Sequence, residues 1–193
     1  LGASCAVCPV PAHNNCSSPA ILSVTTNCVY SSASLCGATQ STSPSIAPIS
    51  CNGRTAANAY DVWYAVIPTQ TNMVINCQSG TSTDVVLGFY SGNCGSLNLR
   101  NCADATTTGG LESISASSLT VGNTYYVRVY DFNGATTGTD FGICASQNCL
   151  AATNNACSNA TALSINSSCN YISGDLCSAT QSISPATCSN YTA

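Results

Sequence analysis

Lysine is absent from this 193-residue chain, and its only cations are Arg54, Arg100 and Arg128. With seven acidic residues and a net charge of −4, it lacks the clustered basic surface that a phosphate backbone demands. Nucleic acid is therefore excluded as a partner, and attraction to an anionic membrane surface is disfavoured. Charged residues make up 5% of the chain against roughly 25% in an ordinary soluble domain, so its surface must be built from Ser, Thr, Asn and Gln. A neutral polar surface suits a fibre, a wall or a glycan, and with little charge to repel neighbours it permits self-association. Apolar runs are only a few residues long, far short of the roughly 20 of a spanning helix, so no membrane insertion is expected. No signal peptide is visible; any export signal is expected to be removed or to lie outside this stretch.

Histidine occurs once, at His13, which leaves no base for a nucleophile-activating triad. No catalytic residues and no enzymatic activity are expected. The series Cys5, Cys8, His13, Cys16 has the outline of a zinc knuckle, but its echo later in the chain has Asn154 in place of the histidine and spaces its cysteines differently.

What is abundant is cysteine, fifteen in all. That density marks a disulfide-stapled protein of an oxidising compartment, so an extracellular or cell-surface location is expected. Cys16 to Pro44 recurs as Cys157 to Pro185 without a gap, always 141 residues apart, and 15 of the 29 aligned positions are identical. Self-similarity at a fixed period signals an array, and this period has the length of a domain. The chain is thus read as a junction over 1–15, a complete module over 16–149 and the first third of a second copy over 150–193. Tandem modules in a longer protein are expected. One period from Cys16 to Cys149 holds nine cysteines. An odd count requires a free thiol, a bridge between chains, or repeats of unequal content.

Strand signals run through the complete module. Tyr60 to Ile67 is dense in aromatic and β-branched residues and ends at Pro68; Asn72 to Cys77 and Asp84 to Tyr90 follow. Leu111 to Ser117 alternates, as does Thr124 to Tyr130, with Tyr125, Val127 and Val129 on one face and Tyr126, Arg128 and Tyr130 on the other. Asp140 to Cys144 closes the series. Cys28 to Cys36 and Cys94 to Cys102 read as hairpins with a cysteine at each end, so Cys28–Cys36, its repeat Cys169–Cys177, and Cys94–Cys102 are the expected bridges. Residues 37–59, rich in Ser, Thr, Pro and Asn, read as a long loop or irregular edge. No segment has a helical period. About eight short strands with regular turns predict an all-β, antiparallel, jelly-roll-like sandwich.

Asp61-Val62-Trp63-Tyr64, then Ser82 to Gly95, then Leu119 to Tyr130, together resemble the pre-peptidase C-terminal type of β-sandwich domain. The version most similar is the cysteine-bearing one repeated in secreted and surface proteins of Bacteroidota. The resemblance spans roughly Asn14 to Cys144. It implies a non-catalytic jelly-roll-like domain, appended to secreted enzymes or strung in adhesins, often exported by a type IX system.

Two candidate sites remain. Calcium takes six to eight oxygen ligands, and Asp84 with Asp104 is the best carboxylate pair to supply some of them, although such residues also cap turns. Tyr126 and Tyr130 share a strand face and form a candidate platform for a glycan or for a neighbouring module. Trp63 is expected in the core. Asn15, Asn159, Asn166 and Asn190 begin Asn-x-Ser/Thr sequences, which are frequent by accident in so polar a chain. The leading expectation is a structural or adhesive extracellular protein that self-associates into a surface fibre, filament or adhesin. In one form of it, residues from Ala151 on complete a neighbouring chain's sheet by strand addition. The alternative is a carbohydrate-binding accessory module of a secreted hydrolase.

Overall fold

The computed structural model describes residues 8–41, 46–137, 139–147, 156–163, 165, 168, 187–188 and 191–192. The chain divides into two compact units, Leu1–Asn148 and Cys149–Ala193. In chain order the first unit carries β1 (Ala20–Ile21), β2 (Val24–Thr25), β3 (Ser31–Ser34), β4 (Ser50–Cys51), β5 (Arg54–Thr55) and β6 (Asp61–Val66). There follow β7 (Met73–Ser79), β8 (Val85–Asn93), β9 (Ser96–Ala103), β10 (Leu111–Ala116), β11 (Tyr125–Asp131) and β12 (Asp140–Ser146).

Ten of these strands form two facing sheets, ordered β1-β6-β11-β8-β9 and β10-β7-β12-β2, with β3 also paired to β12; β4 and β5 pair with each other as a separate hairpin. From β6 onward the chain moves back and forth between the sheets, except for the β8–β9 hairpin within one of them, so that both sheets contribute side chains to one core. The long pairings are antiparallel; the short β1 and β2 run parallel to β6 and β12. Between them the chain steps from one sheet to the other at Leu22, which is buried.

The core follows the period-2 pattern of the sequence. Met73, Ile75 and Cys77 of β7, Ile114 and Ala116 of β10, and Phe141, Ile143 and Ala145 of β12 face Val62, Tyr64, Val66, Leu87, Phe89, Val127 and Val129. Burying a Val, Leu, Ile or Phe side chain stabilises by about 1.5–3 kcal/mol, so this cluster outweighs any single polar contact of the module. Strand β6 is buried on both faces, as its nearly unbroken apolar run foretold. The reason is the segment over residues 46–60: it is not a free loop but a cover over the outer face of that sheet. Arg128, pointing outward from β11, is fully buried beneath it; its guanidinium pairs with Asp61 and donates to the Ile46 and Ala47 carbonyls at 2.7 and 3.0 Å. Trp63 is buried, its indole N–H donating to Ser41 at 2.8 Å.

Among the described residues four disulfides close the module: Cys8–Cys36, Cys16–Cys94, Cys28–Cys144 and Cys51–Cys102. The expected pairings are corrected. Cys94 lies in the turn before β9 and Cys102 near the far end of that extended strand, about 20 Å apart at roughly 3.3 Å per residue, far beyond the roughly 4.4–6.8 Å usual between bridged Cα atoms. Cys28 and Cys36 likewise flank the extended β3, which pairs with β12 rather than folding into a hairpin of its own. Cys169 and Cys177 lie outside the described residues. Among the described cysteines of that period Cys77 is free; it is buried in the core, where desolvation pushes its pKa up, and Cys149 lies outside the described residues.

Residues 8–15 are part of the sandwich rather than a loose lead-in. Beyond the Cys8 bridge, Asn14 is buried and exchanges two hydrogen bonds with Thr39, each 2.7 Å, and the His13 carbonyl accepts from the Trp63 N–H. In the second unit, Thr187–Cys188 pairs with Tyr191–Thr192. Cys51 to Ala56 is echoed by Cys188 to Ala193 after a four-residue deletion, and Cys188 opposes Tyr191 as Cys51 opposes Arg54 in β4–β5, so this echo carries a repeated hairpin.

Candidate functional site

The carboxylates of the module meet at one end of the sandwich, and an arginine meets them there. Arg54, at the start of β5, places its guanidinium 3.0 Å from Asp104 and 3.6 Å from Asp84, and stacks 4.4 Å over the Phe132 ring. Both aspartates are buried. Asp104 meets Arg54 as an ion pair without hydrogen-bond alignment, and Asp84 Oδ1 has no partner among the described residues. The two other carboxylates nearby are used as turn caps. Glu112 accepts from the Ala105 and Thr106 N–H groups at 2.9 and 2.6 Å; Asp131 accepts from Asp84, Asn133 and Ala135. The structure thus brings Asp84 and Asp104 together, but the centre a calcium ion would take is held by a guanidinium. Among the described residues no three His, Cys, Asp or Glu side chains are arranged to hold a metal.

Burial raises the Asp84 and Asp104 carboxyls above the ordinary value near 3.8, while Arg54 pulls both back. Replacing the guanidinium, Arg54→Ala, is therefore expected to destabilise the module by about 2 kcal/mol at neutral pH. Without Arg54 both values rise further, so the folded form takes up protons at a pH where the unfolded chain does not. The loss is greatest near pH 7 and shrinks as the pH falls through the raised values toward 3.8. Urea unfolding at pH 7 and pH 4.5 checks this; an equal loss at both would mean that Arg54 acts by packing on Phe132 alone.

The tyrosine platform is corrected. Tyr125, Val127 and Val129 do point into the core, yet Tyr130 on the opposite face is fully buried against Ala56, Ala59 and Val86. Its hydroxyl accepts from the Ile49 N–H at 3.1 Å, and burial pushes its pKa up to about 12. Tyr126 is half-buried against Cys16, Trp63 and Tyr90. The cover over residues 46–60 takes the face that this pair was expected to expose. His13 is also used structurally: its ring tilts against Tyr64 at 5.2 Å between centroids, and desolvation lowers its pKa.

The open face belongs to the other sheet. Ser32 of β3, Gly142 of β12, Gln78 of β7 and Leu111 of β10 stand opposite one another in register and form a row across its outer surface. A shallow groove of about 700 Å³ runs there, lined by Ser32, Ser34, Gln78, Gly80, Asp140 and Gly142 among others. Tyr30 lies at its Gly142 side: a Cβ on that glycine would stand 3.3 Å from the Tyr30 ring, so the missing side chain is what lets the tyrosine rest on the sheet. Sequence reasoning passed over Tyr30, although its recurrence as Tyr171 in the second copy was available as a signal.

A two-sheet β-sandwich stapled by four disulfides defines the class: a secreted, extracellular β-sandwich module. The chain belongs to the galactose-binding domain-like family associated with type IX secretion, whose family model matches residues 12–143. Domains of this family are non-catalytic accessory domains. Among solved structures it is similar to the pre-peptidase C-terminal domain of a Bacillus anthracis collagenase, at 11% identity and a TM-score of 0.41, covering 66% of this chain and 95% of that one. It is also similar to PliG of Aeromonas hydrophila, a periplasmic inhibitor of g-type lysozyme, at 9% identity and a TM-score of 0.32, covering 66% and 98%. No curated protein matches it.

Proposed function

We propose that this chain is a stretch of a structural or adhesive extracellular protein, in which stapled β-sandwich modules follow one another and associate into a surface fibre, filament or adhesin. The observation that carries the reading is the 141-residue repeat. It is supported by where the repeated residues lie in the first copy: Leu22, Leu35, Ala38 and Ser41 are buried, and Cys16, Cys28 and Cys36 are bridged, so the repeat preserves residue types that the first copy uses to fold, although Cys157, the counterpart of Cys16, is free. A low surface charge then lets neighbouring modules approach without repulsion.

Electron microscopy of the natively purified protein without reductant tests this. Filaments whose subunit contains the module, or strings of beads spaced by one module, are the expected result. Isolated globular particles at all concentrations would overturn it. Repeating the measurement after reduction shows whether disulfides between chains contribute to the assembly.

A further inference from the structure

We propose that the groove beside Tyr30, on the outer face of the β10-β7-β12-β3 sheet, is a binding site for a neutral glycan. The first ground is a comparison of the two copies within the chain. Most identical positions that the structure describes are explained by burial, by a disulfide, or by contacts such as those of Thr39 with Asn14 and Gln40 with Tyr60. Tyr30 and Ser32 are exposed and their side chains make no hydrogen bond among the described residues, yet they recur as Tyr171 and Ser173. Ser32 lines the groove and Tyr30 rests on Gly142 at its edge, whereas the other exposed and unexplained identities, Ser17 and Ser23, do not line it.

The second ground is the site's construction. Tyr30 is 45% exposed, and the Cys28–Cys144 bridge two residues away fastens its segment onto β12. Its ring rests over Gly142. A fixed aromatic ring offers an apolar face at little entropic cost, which is what the C–H face of a pyranose stacks on. Around it, Ser32 supplies a hydroxyl, and the Asp140 carboxylate makes no ion pair or hydrogen bond among the described residues. The Gln78 amide is oriented by donating to the Gly109 and Gly110 carbonyls at 2.9 and 3.2 Å, which leaves its oxygen to accept. A ring flanked by a hydroxyl, an amide oxygen and a free carboxylate matches a polyol, whose hydroxyls both donate and accept. No cation lines the groove and Asp140 does, so a sulfated or uronic-acid polymer is repelled. This site does not depend on the fibre reading, since it is complete within one module.

Native electrophoresis of the full 193-residue chain through gels containing galactomannan, xyloglucan or mannan tests the proposal, with hyaluronate as the acidic comparison. The expected result is retardation by at least one neutral polymer and none by hyaluronate. Tyr30→Ala should weaken binding at least about tenfold. Tyr30→Phe should keep most of it. A thermal melt confirms that each variant is folded, and Gln78→Ala and Asp140→Asn, both exposed, read the same site if Tyr30→Ala is unstable. No retardation by any of the three neutral polymers would overturn the proposal, as would equal retardation by hyaluronate or an unchanged Tyr30→Ala. Sugar-free self-association that depends on Tyr30 would overturn it too, by assigning the face to a second copy of the chain.

Discussion

Cys28→Ala combined with Cys144→Ala is expected to destabilise the module by about 4–5 kcal/mol, the largest loss from any one bridge. The bridge closes a segment of 116 residues, against 78 for Cys16–Cys94, 51 for Cys51–Cys102 and 28 for Cys8–Cys36. Restricting the unfolded chain stabilises more as the closed loop lengthens, so the losses should fall in that order, down to about 3.5 kcal/mol for Cys8–Cys36. A domain of this size is stable by about 5–15 kcal/mol, so one bridge is a large share of the total. Guanidinium unfolding of the four double-alanine variants without reductant gives the ranking. If loss of Cys8–Cys36 proves the most damaging, the unfolded-chain argument fails and native packing around residues 8–15 governs instead. The Cys28–Cys144 variant also loosens the segment that carries Tyr30, so its polysaccharide binding should weaken beyond what its lower stability explains.

Arg128→Met is expected to destabilise by about 3–5 kcal/mol. Arg128 and Asp61 are both fully buried, and the substitution leaves the Asp61 carboxylate in the core without its cationic partner, held by neutral donors such as the Ser41 hydroxyl. It also strips the donors from the Ile46 and Ala47 carbonyls, so the cover over residues 46–60 loses its anchor to β11. An apolar replacement of both partners removes the stranded charge. Asp61→Leu with Arg128→Met should therefore recover a substantial part of the loss. Unfolding curves for the two singles and the double separate the cases. A double variant as unstable as the sum of the singles would mean that anchoring the cover, rather than pairing the charge, is what Arg128 contributes.

Strand positions were legible because they rest on local pattern. Asp61–Val66, Met73–Ser79, Val85–Asn93, Leu111–Ala116 and Tyr125–Asp131 lie within a few residues of the alternating or apolar runs that foretold them. The candidate site was less legible. Tyr126 and Tyr130 were placed correctly on the outward face of their strand, but alternation within one strand carries no information on what covers that face. Distance along the chain does not set distance in space: Arg128 reaches back across 81 and 82 residues to the Ala47 and Ile46 carbonyls. Asp84 and Asp104 were likewise rightly grouped, while Arg54, the partner that neutralises them, gave no sign in a stretch read as loop.

By itself the sequence determined the repeat, the all-β class, the oxidising compartment and the strands, since each follows from composition or from contacts between residues near in the chain. Only the tertiary structure decided which cysteines pair, which tyrosine is presented and which sheet face stays open. Those choices depend on which strands lie side by side, and residues as far apart as Cys28 and Cys144 become neighbours only when the two sheets close on one core.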